Sequence, residues 1–462
     1  MTHFIHRPYQ PGQTIAAIAT PPGDGGVAII RISGNDALCI AEKIYLGPIR
    51  TYQSHHAHFG KIIDHHGNLV DEVLILVMLA PRSYTGEDTV EIHCHGGHLI
   101  THRVLATVLH AGALPAQPGE FTFKAFMNRK LDLSQAEAVQ SLISSKNELA
   151  LHAAGQQLQG RLSQQILSFQ KALIDIAAIL EAWVDFPEED LEFASMEDVI
   201  QLLISQRQQM QHLHDTFHNG KIIQHGISLC LSGPPNVGKS SLMNALLGKE
   251  RAIVTDIAGT TRDLIEEDLY LSNLHFRLID TAGIRNTEEL IEKEGIRRSK
   301  EQMQQADLIL LVLDASQPLC YESQQLLELT PKKNTILVWN KIDLSPHQAG
   351  SNNAIDFPYQ AAVSAKHHLG LDQLDNLIHQ MIWNQGPPAK DEIVLTQLRH
   401  AQALHLAIQS LTTLINGLET GISPEFLSSD MRQVLTALGT IIGTDISEDI
   451  LNTIFSKFCI GK

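Results

Sequence analysis

Cysteine is scarce in this 462-residue chain, and its pattern limits where the protein works. The five thiols, Cys39, Cys94, Cys230, Cys320 and Cys459, are scattered and odd in number. That argues against a disulfide framework and for reduced thiols in a cytoplasmic protein. Long apolar runs are missing too. The longest, Val73 to Ala80, falls well short of the about 20 residues that span a bilayer, so it reads as a buried strand. Positive charge is in deficit: 34 Lys and Arg face 51 Asp and Glu, a net charge of -17. That argues against nucleic-acid binding by global attraction, and an RNA partner would need a local basic patch or a second subunit. The N-terminus, Met1-Thr-His-Phe-Ile-His-Arg7, lacks the apolar stretch of a signal peptide. Cys459-Ile-Gly-Lys462 imitates a prenylation box, but Gly461 is not aliphatic and Lys462 is a poor last residue, so no lipid or membrane partner is expected.

What is present divides by composition. The length predicts two or three domains. Residues 1–125 are rich in β-branched residues and glycine turns, with strands expected at Thr14–Thr20, Val27–Ile32 and Val73–Leu79. Between Gly160 and Gly220 there is no glycine and only Pro187. Leu158, Leu162, Ile166, Phe169 and Leu173 recur there at helical spacing, so residues 126–220 form a helical segment. Residues 221–384 alternate strands (Gly226–Leu231, Leu308–Leu313, Thr335–Trp339) with helices, as in a parallel α/β sheet. After Gly386-Pro-Pro388 the chain is helical again, through residues 385–462. The expected fold class is multidomain, α/β plus α: a β-rich N-terminal domain, a discontinuous helical domain, and an inserted Ras-like P-loop domain. The two helical parts must meet, or each keeps an uncovered apolar face.

The inserted region carries five phosphate- and base-reading segments in order. The first is Gly233-Pro-Pro-Asn236-Val237-Gly238-Lys239-Ser240, followed by Ser241. Its backbone N–H groups and helix N-terminus suit phosphate oxygens, Lys239 reaches the β/γ-phosphates and Ser240 takes Mg2+. The second is Gly259-Thr260-Thr261-Arg-Asp263, with Thr261 expected on the metal and the preceding Thr255-Asp256-Ile257-Ala258 counted with it as GTP-binding. Asp280-Thr281-Ala282-Gly283 supplies an outer Mg2+ group and a γ-phosphate N–H. Asn340-Lys341-Ile-Asp343 and Ser364-Ala365-Lys366 read the base. A carboxylate at Asp343 accepts both N1–H and N2–H of guanine, and adenine offers no matching pair, so the ligand is GTP.

One catalytic part is absent. Ras-like enzymes orient the attacking water with a glutamine after the switch glycine, and here that position is Ile284. Another residue must place the water; Glu288, Glu289, Glu292 and Glu294 are available, or are simply a solvated acidic helix face. A missing positive charge can be replaced by a monovalent cation held by Asn236 and carbonyls of the Thr255–Thr260 loop, although asparagine is also a common loop residue.

The flanks carry a resemblance. Thr14-Ile-Ala-Ala-Ile-Ala-Thr-Pro-Pro-Gly23, Arg31-Ile-Ser-Gly34, Tyr84-Thr-Gly-Glu-Asp88, His95-Gly-Gly97, Pro118-Gly-Glu-Phe-Thr122, Lys130-Leu-Asp-Leu133, Gln135-Ala-Glu-Ala138 and Phe458-Cys-Ile-Gly-Lys462 are similar to the MnmE (TrmE) family of tRNA-modification GTPases. The resemblance implies an N-terminal folate-binding dimerisation domain, a homodimer, and a heterotetramer with the flavoprotein MnmG, which alone carries FAD. It implies aminomethyl or carboxymethylaminomethyl addition at C5 of the wobble uridine of certain tRNAs. The carbon comes from 5-formyl- or 5,10-methylene-tetrahydrofolate. It further implies GTP hydrolysis activated by K+ and by G-domain dimerisation. On this resemblance Asn236, Thr255, Ile257 and Thr260 match K+ ligands, Ser240 and Thr261 match Mg2+ ligands, and Glu292 matches the glutamate that positions water. Arg31, Glu91, Lys130 and Lys462 match folate-binding positions. Cys459 matches a family thiol whose role stays open between an inert buried group and a chemical one.

Asp24 and Gln117 depart from basic residues of the family pattern, which puts the strength of polyanion binding nearby in question. His93, Cys94, His95 and His98 invite a metal reading, but only His95 belongs to the family pattern, so the others read as substitutions. A rival from another class is a ribosome-assembly-type regulatory RNA-binding GTPase. Such switches carry a basic module beside the nucleotide domain, and these flanks are acidic.

Overall fold

The computed structural model describes residues 9–185, 195–249, 268–271, 274–279, 303–344, 355–383, 386–389, 391–422 and 424–461. The chain forms two compact units, one of residues Met1–Gln140, Gln156–Gln206 and Leu406–Lys462, the other of Ser141–Gly155 and Arg207–His405.

In the first unit, β-branched alternation builds a seven-stranded sheet. Its strands are β1 (Ile15–Ile18), β2 (Gly25–Ser33), β3 (Tyr45–Leu46), β4 (Ala57–Ile63), β5 (Leu69–Met78), β6 (Thr89–Gly96) and β7 (Leu114–Pro115), in the order β3-β4-β5-β6-β2-β1-β7. Only the β1–β7 pair is parallel. Ile30, Ile32, Ile75 and Ile92 are fully buried in a core shared with Ala37 and Ile40 of the helix Ala37–Ile44 and Val104 and Val108 of His98–His110. Period-two alternation then puts Arg31 on the opposite face from Ile30 and Ile32. The expected strand at Val73–Leu79 starts earlier, at Leu69, because Asp71 and Glu72 pair with Ile62 and Lys61 of β4 despite their polarity. On the opposite face, Phe59 and Leu74 sit side by side and are 65% and 47% exposed.

The same unit contains the long helix Arg161–Asp185, which packs against Pro424–Ile442. Gln170 Nε2 donates to the Leu435 carbonyl at 3.2 Å. The two helical stretches of the sequence therefore meet, as their apolar stripes require. The stripe beginning at Leu158 is shared by two helices, since Glu148–Leu158 ends before Gly160 and the next begins at Arg161.

The second unit holds a six-stranded sheet: β8 (Ile227–Ser232), β9 (Asp268–Leu271), β10 (Leu274–Ile279), β11 (Leu308–Asp314), β12 (Thr335–Asn340) and β13 (Tyr359–Ala362). Their order is β13-β12-β11-β8-β10-β9, all parallel except β9. Alternate residues of the central strands feed two cores, Leu229, Leu310 and Val338 on one face and Cys230, Ile309 and Leu337 on the other. Burial on both faces explains why these strands read as continuous apolar runs. The carboxyl ends of β8, β11 and β12 lie together, Leu311 beside Ser232 and Asp314 beside Asn340. In open α/β sheets that edge forms the ligand crevice.

Candidate nucleotide and folate sites

The phosphate loop connects β8 to the helix Lys239–Lys249. Leu242, Met243, Ala245 and Leu246 bury the inner face of that helix and fix its N-terminus beside the loop. Gly238 has φ +95°, and a Cβ there would lie 2.4 Å from Asn340 Nδ2. Only glycine fits such a place. Lys239 Nζ donates to the carbonyls of Gly233 at 2.7 Å and Pro234 at 2.8 Å. The ammonium is thus ringed by its own loop, and burial lowers its pKa. Val237 is buried, while Asn236, Ser240 and Ser241 are exposed. Ser240, in the first turn of the helix, offers a hard oxygen of the kind Mg2+ takes.

Asn340 is 2% exposed and acts as a brace. Its Nδ2 donates to the Val237 carbonyl at 2.9 Å, and its Oδ1 accepts from the Ala365 N–H at 3.0 Å. One amide thereby ties the phosphate loop to both segments expected to read the base. Asp343 Oδ1 accepts from Ser364 Oγ at 2.6 Å, and Asp343 Oδ2 lies 3.6 Å from His367 Nε2. The Ser364 hydrogen bond holds the Asp343 carboxyl below its usual range. Lys341 Nζ donates to the Asn236 carbonyl and pairs with Asp314 Oδ2, both at 2.7 Å. Asn236, Asp314 and Lys341 border a cavity of about 120 Å³ that also touches Leu319 and Cys320.

Asp314 and His367 were not singled out by sequence reasoning. Burial pushes the Asp314 carboxyl up, but hydrogen bonds from Lys341 and from Ser316 N and Oγ outweigh it and hold it low. A carboxylate closing a buried strand next to the phosphate-loop strand is the signal that would have found it. The expected site residues Thr255, Asp256, Ile257, Ala258, Gly259, Thr260, Thr261, Asp280, Thr281, Ala282, Gly283 and Glu292 lie outside the described residues, as do Ile284 and Lys462.

The first unit gathers another polar group. Arg31 Nε donates to Glu91 Oε1 at 2.8 Å, and Arg31 Nη1 to the Gly461 carbonyl at 3.4 Å. The guanidinium stands over the rings of Tyr84 and Phe121, at 5.7 and 5.6 Å from their centroids. Tyr84 Oη and Thr122 Oγ1 are 2.9 Å apart, which fixes that ring. Gly461, at φ +97°, lies so close to β1 that a Cβ would come 2.3 Å from the Ile18 carbonyl. Arg31, Glu91 and the C-terminal tail are brought together, whereas Lys130 Nζ donates to the Pro81 carbonyl at 3.0 Å. Gln117 N–H donates to Glu120 Oε2 at 2.7 Å, and Asp24 lies in the loop before β2. Cys459 is exposed, which removes the buried alternative for this thiol.

The histidine cluster does not assemble. His93 Nε2 stands 3.5 Å from Glu91 Oε2 without forming a hydrogen bond, and His95 Nδ1 lies 2.8 Å from Asp71 Oδ1. Cys94 is buried in the core on the other face, where desolvation raises its thiol to about 11. No group of three potential metal ligands occurs among the described residues. None of the described helices is long and apolar enough to cross a membrane.

The model of the GTP-binding protein TrmE N-terminus matches residues 14–130, and that of the MnmE helical domain matches residues 133–459. A tRNA modification GTPase MnmE from Protochlamydia amoebophila is 60% identical over 99% of this chain and 100% of its own. Its counterpart from Syntrophotalea carbinolica is 45% identical over 97% and 99%. The G domain of the T. maritima FeoB iron transporter is 28% identical over 34% of this chain and 98% of its own, with a TM-score of 0.25. Matched along nearly its whole length, the chain belongs to the MnmE family.

Proposed function

We propose that this chain is the GTP-hydrolysing component of a cytoplasmic tRNA-modifying complex that adds an aminomethyl or carboxymethylaminomethyl group to C5 of the wobble uridine. The observation that carries this reading is the Asn340 brace, which joins the phosphate loop at Val237 to the Ser364–Lys366 segment at Ala365 in a chain of this family. That relatedness favours it over a ribosome-assembly switch. Ser240 with Thr261 would hold Mg2+, and Asn236 with the carbonyls of Thr255, Ile257 and Thr260 would hold K+. Lys239 neutralises the phosphates, and Glu292 positions the water that Ile284 cannot. Two nucleotide domains of a homodimer face each other in the active state, and the exposed Phe59–Leu74 patch supports self-association through the N-terminal sheet.

For the one-carbon donor, the Arg31 guanidinium suits the carboxylates of a folate tail, and Glu91 can accept from a pterin edge. Tyr84 and Phe121 add flat apolar surface beside them. Lys130 and Lys462 would supply further positive charge. The tetrahydrofolate derivative supplies the carbon, and the FAD partner MnmG the redox chemistry. Mass spectrometry of tRNA nucleosides from a deletion strain tests the assignment. Loss of the C5 substituent at the wobble position, restored by the wild-type chain, is the expected result; unchanged wobble uridines refute it.

A further inference from the structure

Two of the five non-glycine residues with left-handed backbone among the described residues face each other across the nucleotide site: Asn236 at φ +62° and Lys341 at φ +65°. Such conformations persist only where surrounding contacts over-determine them. Here Asn340 holds the adjoining Val237 carbonyl, and an ammonium holds that of Asn236 itself. Lys341 Nζ spans from the Asn236 carbonyl to Asp314 Oδ2, 2.7 Å from each. The Asp314 side chain is itself fixed, because its Oδ1 accepts from Ser316 N at 2.9 Å and Ser316 Oγ at 2.6 Å. Its pair with Lys341 is largely shielded, with side-chain exposures of 10% and 31%. A shielded charge-assisted hydrogen bond is stronger than a neutral one and holds direction better.

We infer that Asp314 is a positioning residue: through Lys341 it fixes the conformation of Asn236, so that the base-reading segment and the cation-binding corner of the phosphate loop are set together. The inference deepens the K+ assignment and rests on it for the cation half of its test. Removing the carboxylate frees Lys341 Nζ to leave the Asn236 carbonyl. The asparagine then samples right-handed backbone and its side chain loses its aim. Asp314 touches neither nucleotide nor cation on this account.

The test uses the full-length protein and D314A, D314N and S316A variants, with circular dichroism as the folding check. Two quantities are read: the dissociation rate of a fluorescent GDP, and the K+ concentration giving half-maximal hydrolysis at saturating GTP. D314A should raise both by about tenfold, the worth of a lost charge-assisted hydrogen bond. D314N keeps an acceptor for Lys341 without the charge and should fall between, as should S316A. A purely structural role would not move the K+ midpoint in a folded protein saturated with GTP. Unchanged values in D314A overturn the inference, and so does faster GDP release with an unmoved K+ midpoint, which would confine Asp314 to the base segment. If the wild-type protein hydrolyses GTP equally in Na+ and K+, the K+ assignment falls, and GDP release alone then upholds or overturns the link between Asp314 and nucleotide. Should D314A fail to fold, D314N carries the same comparison at a smaller shift.

Discussion

At the scale of single residues, the proposed nucleotide preference rests on Asp343. Replacing it by asparagine exchanges one acceptor for a donor, which suits the C2 carbonyl oxygen of xanthine better than the N2–H of guanine. D343N should bind GTP at least about two orders of magnitude more weakly, and competition assays should show XTP displacing it. Retained GTP preference would contradict the base assignment. The structure adds that Asp343 is pre-aimed by Ser364, so S364A is the control for orientation without change of charge. The expectation for this residue could be drawn from sequence because its chemistry sits in the side chain itself. Asp314 was not, since it follows six buried apolar residues and its meaning arises only from Lys341 crossing the sheet edge to reach it. Arg31 and Glu91 were legible only by family likeness, because nothing in a single sequence says that β2 and β6 are neighbours with these two residues in register.

At the scale of elements, the phosphate loop works because β8 and the helix Lys239–Lys249 are both anchored in the same core. The loop between them has no freedom to accept a Cβ at Gly238. G238A meets both a left-handed φ and Asn340 Nδ2, so it must displace the brace or the loop. GTP affinity in G238A should fall more than tenfold, since one braced hydrogen-bond network and one strained residue are lost together. Titration with a fluorescent GTP analogue checks this, and near-normal binding would mean the brace is dispensable. Strands and helices themselves were mostly readable, with ends displaced by a few residues. The start of β5 was hidden by Asp71 and Glu72, whose polarity suits an exposed face as well as a turn. The division at Gly160 was hidden because the apolar stripe continues on both sides of it.

At the scale of the molecule, Phe59 and Leu74 form the apolar patch that self-association through the N-terminal sheet would cover. F59E places a charge at its centre and should shift sedimentation toward monomer without altering the buried face of β4. A dimer unaffected by F59E would move the interface elsewhere. The meeting of the helical stretches was legible from composition, because an amphipathic helix with no partner is unstable. The grouping of Arg31 with Gly461 was not, being a contact across 430 positions.

That last contact sets an order on biogenesis. Residues 207–405 emerge from the ribosome between two portions of the first unit, and they can fold while it waits. Helix Arg161–Asp185 has no Pro424–Ile442 to pack on until late in synthesis. The carbonyl that Arg31 reaches belongs to Gly461, 430 positions further on, and is made long after Arg31 itself. A chain cut before Pro424 would lack both the packing face of helix Arg161–Asp185 and the carbonyl that helps to hold Arg31.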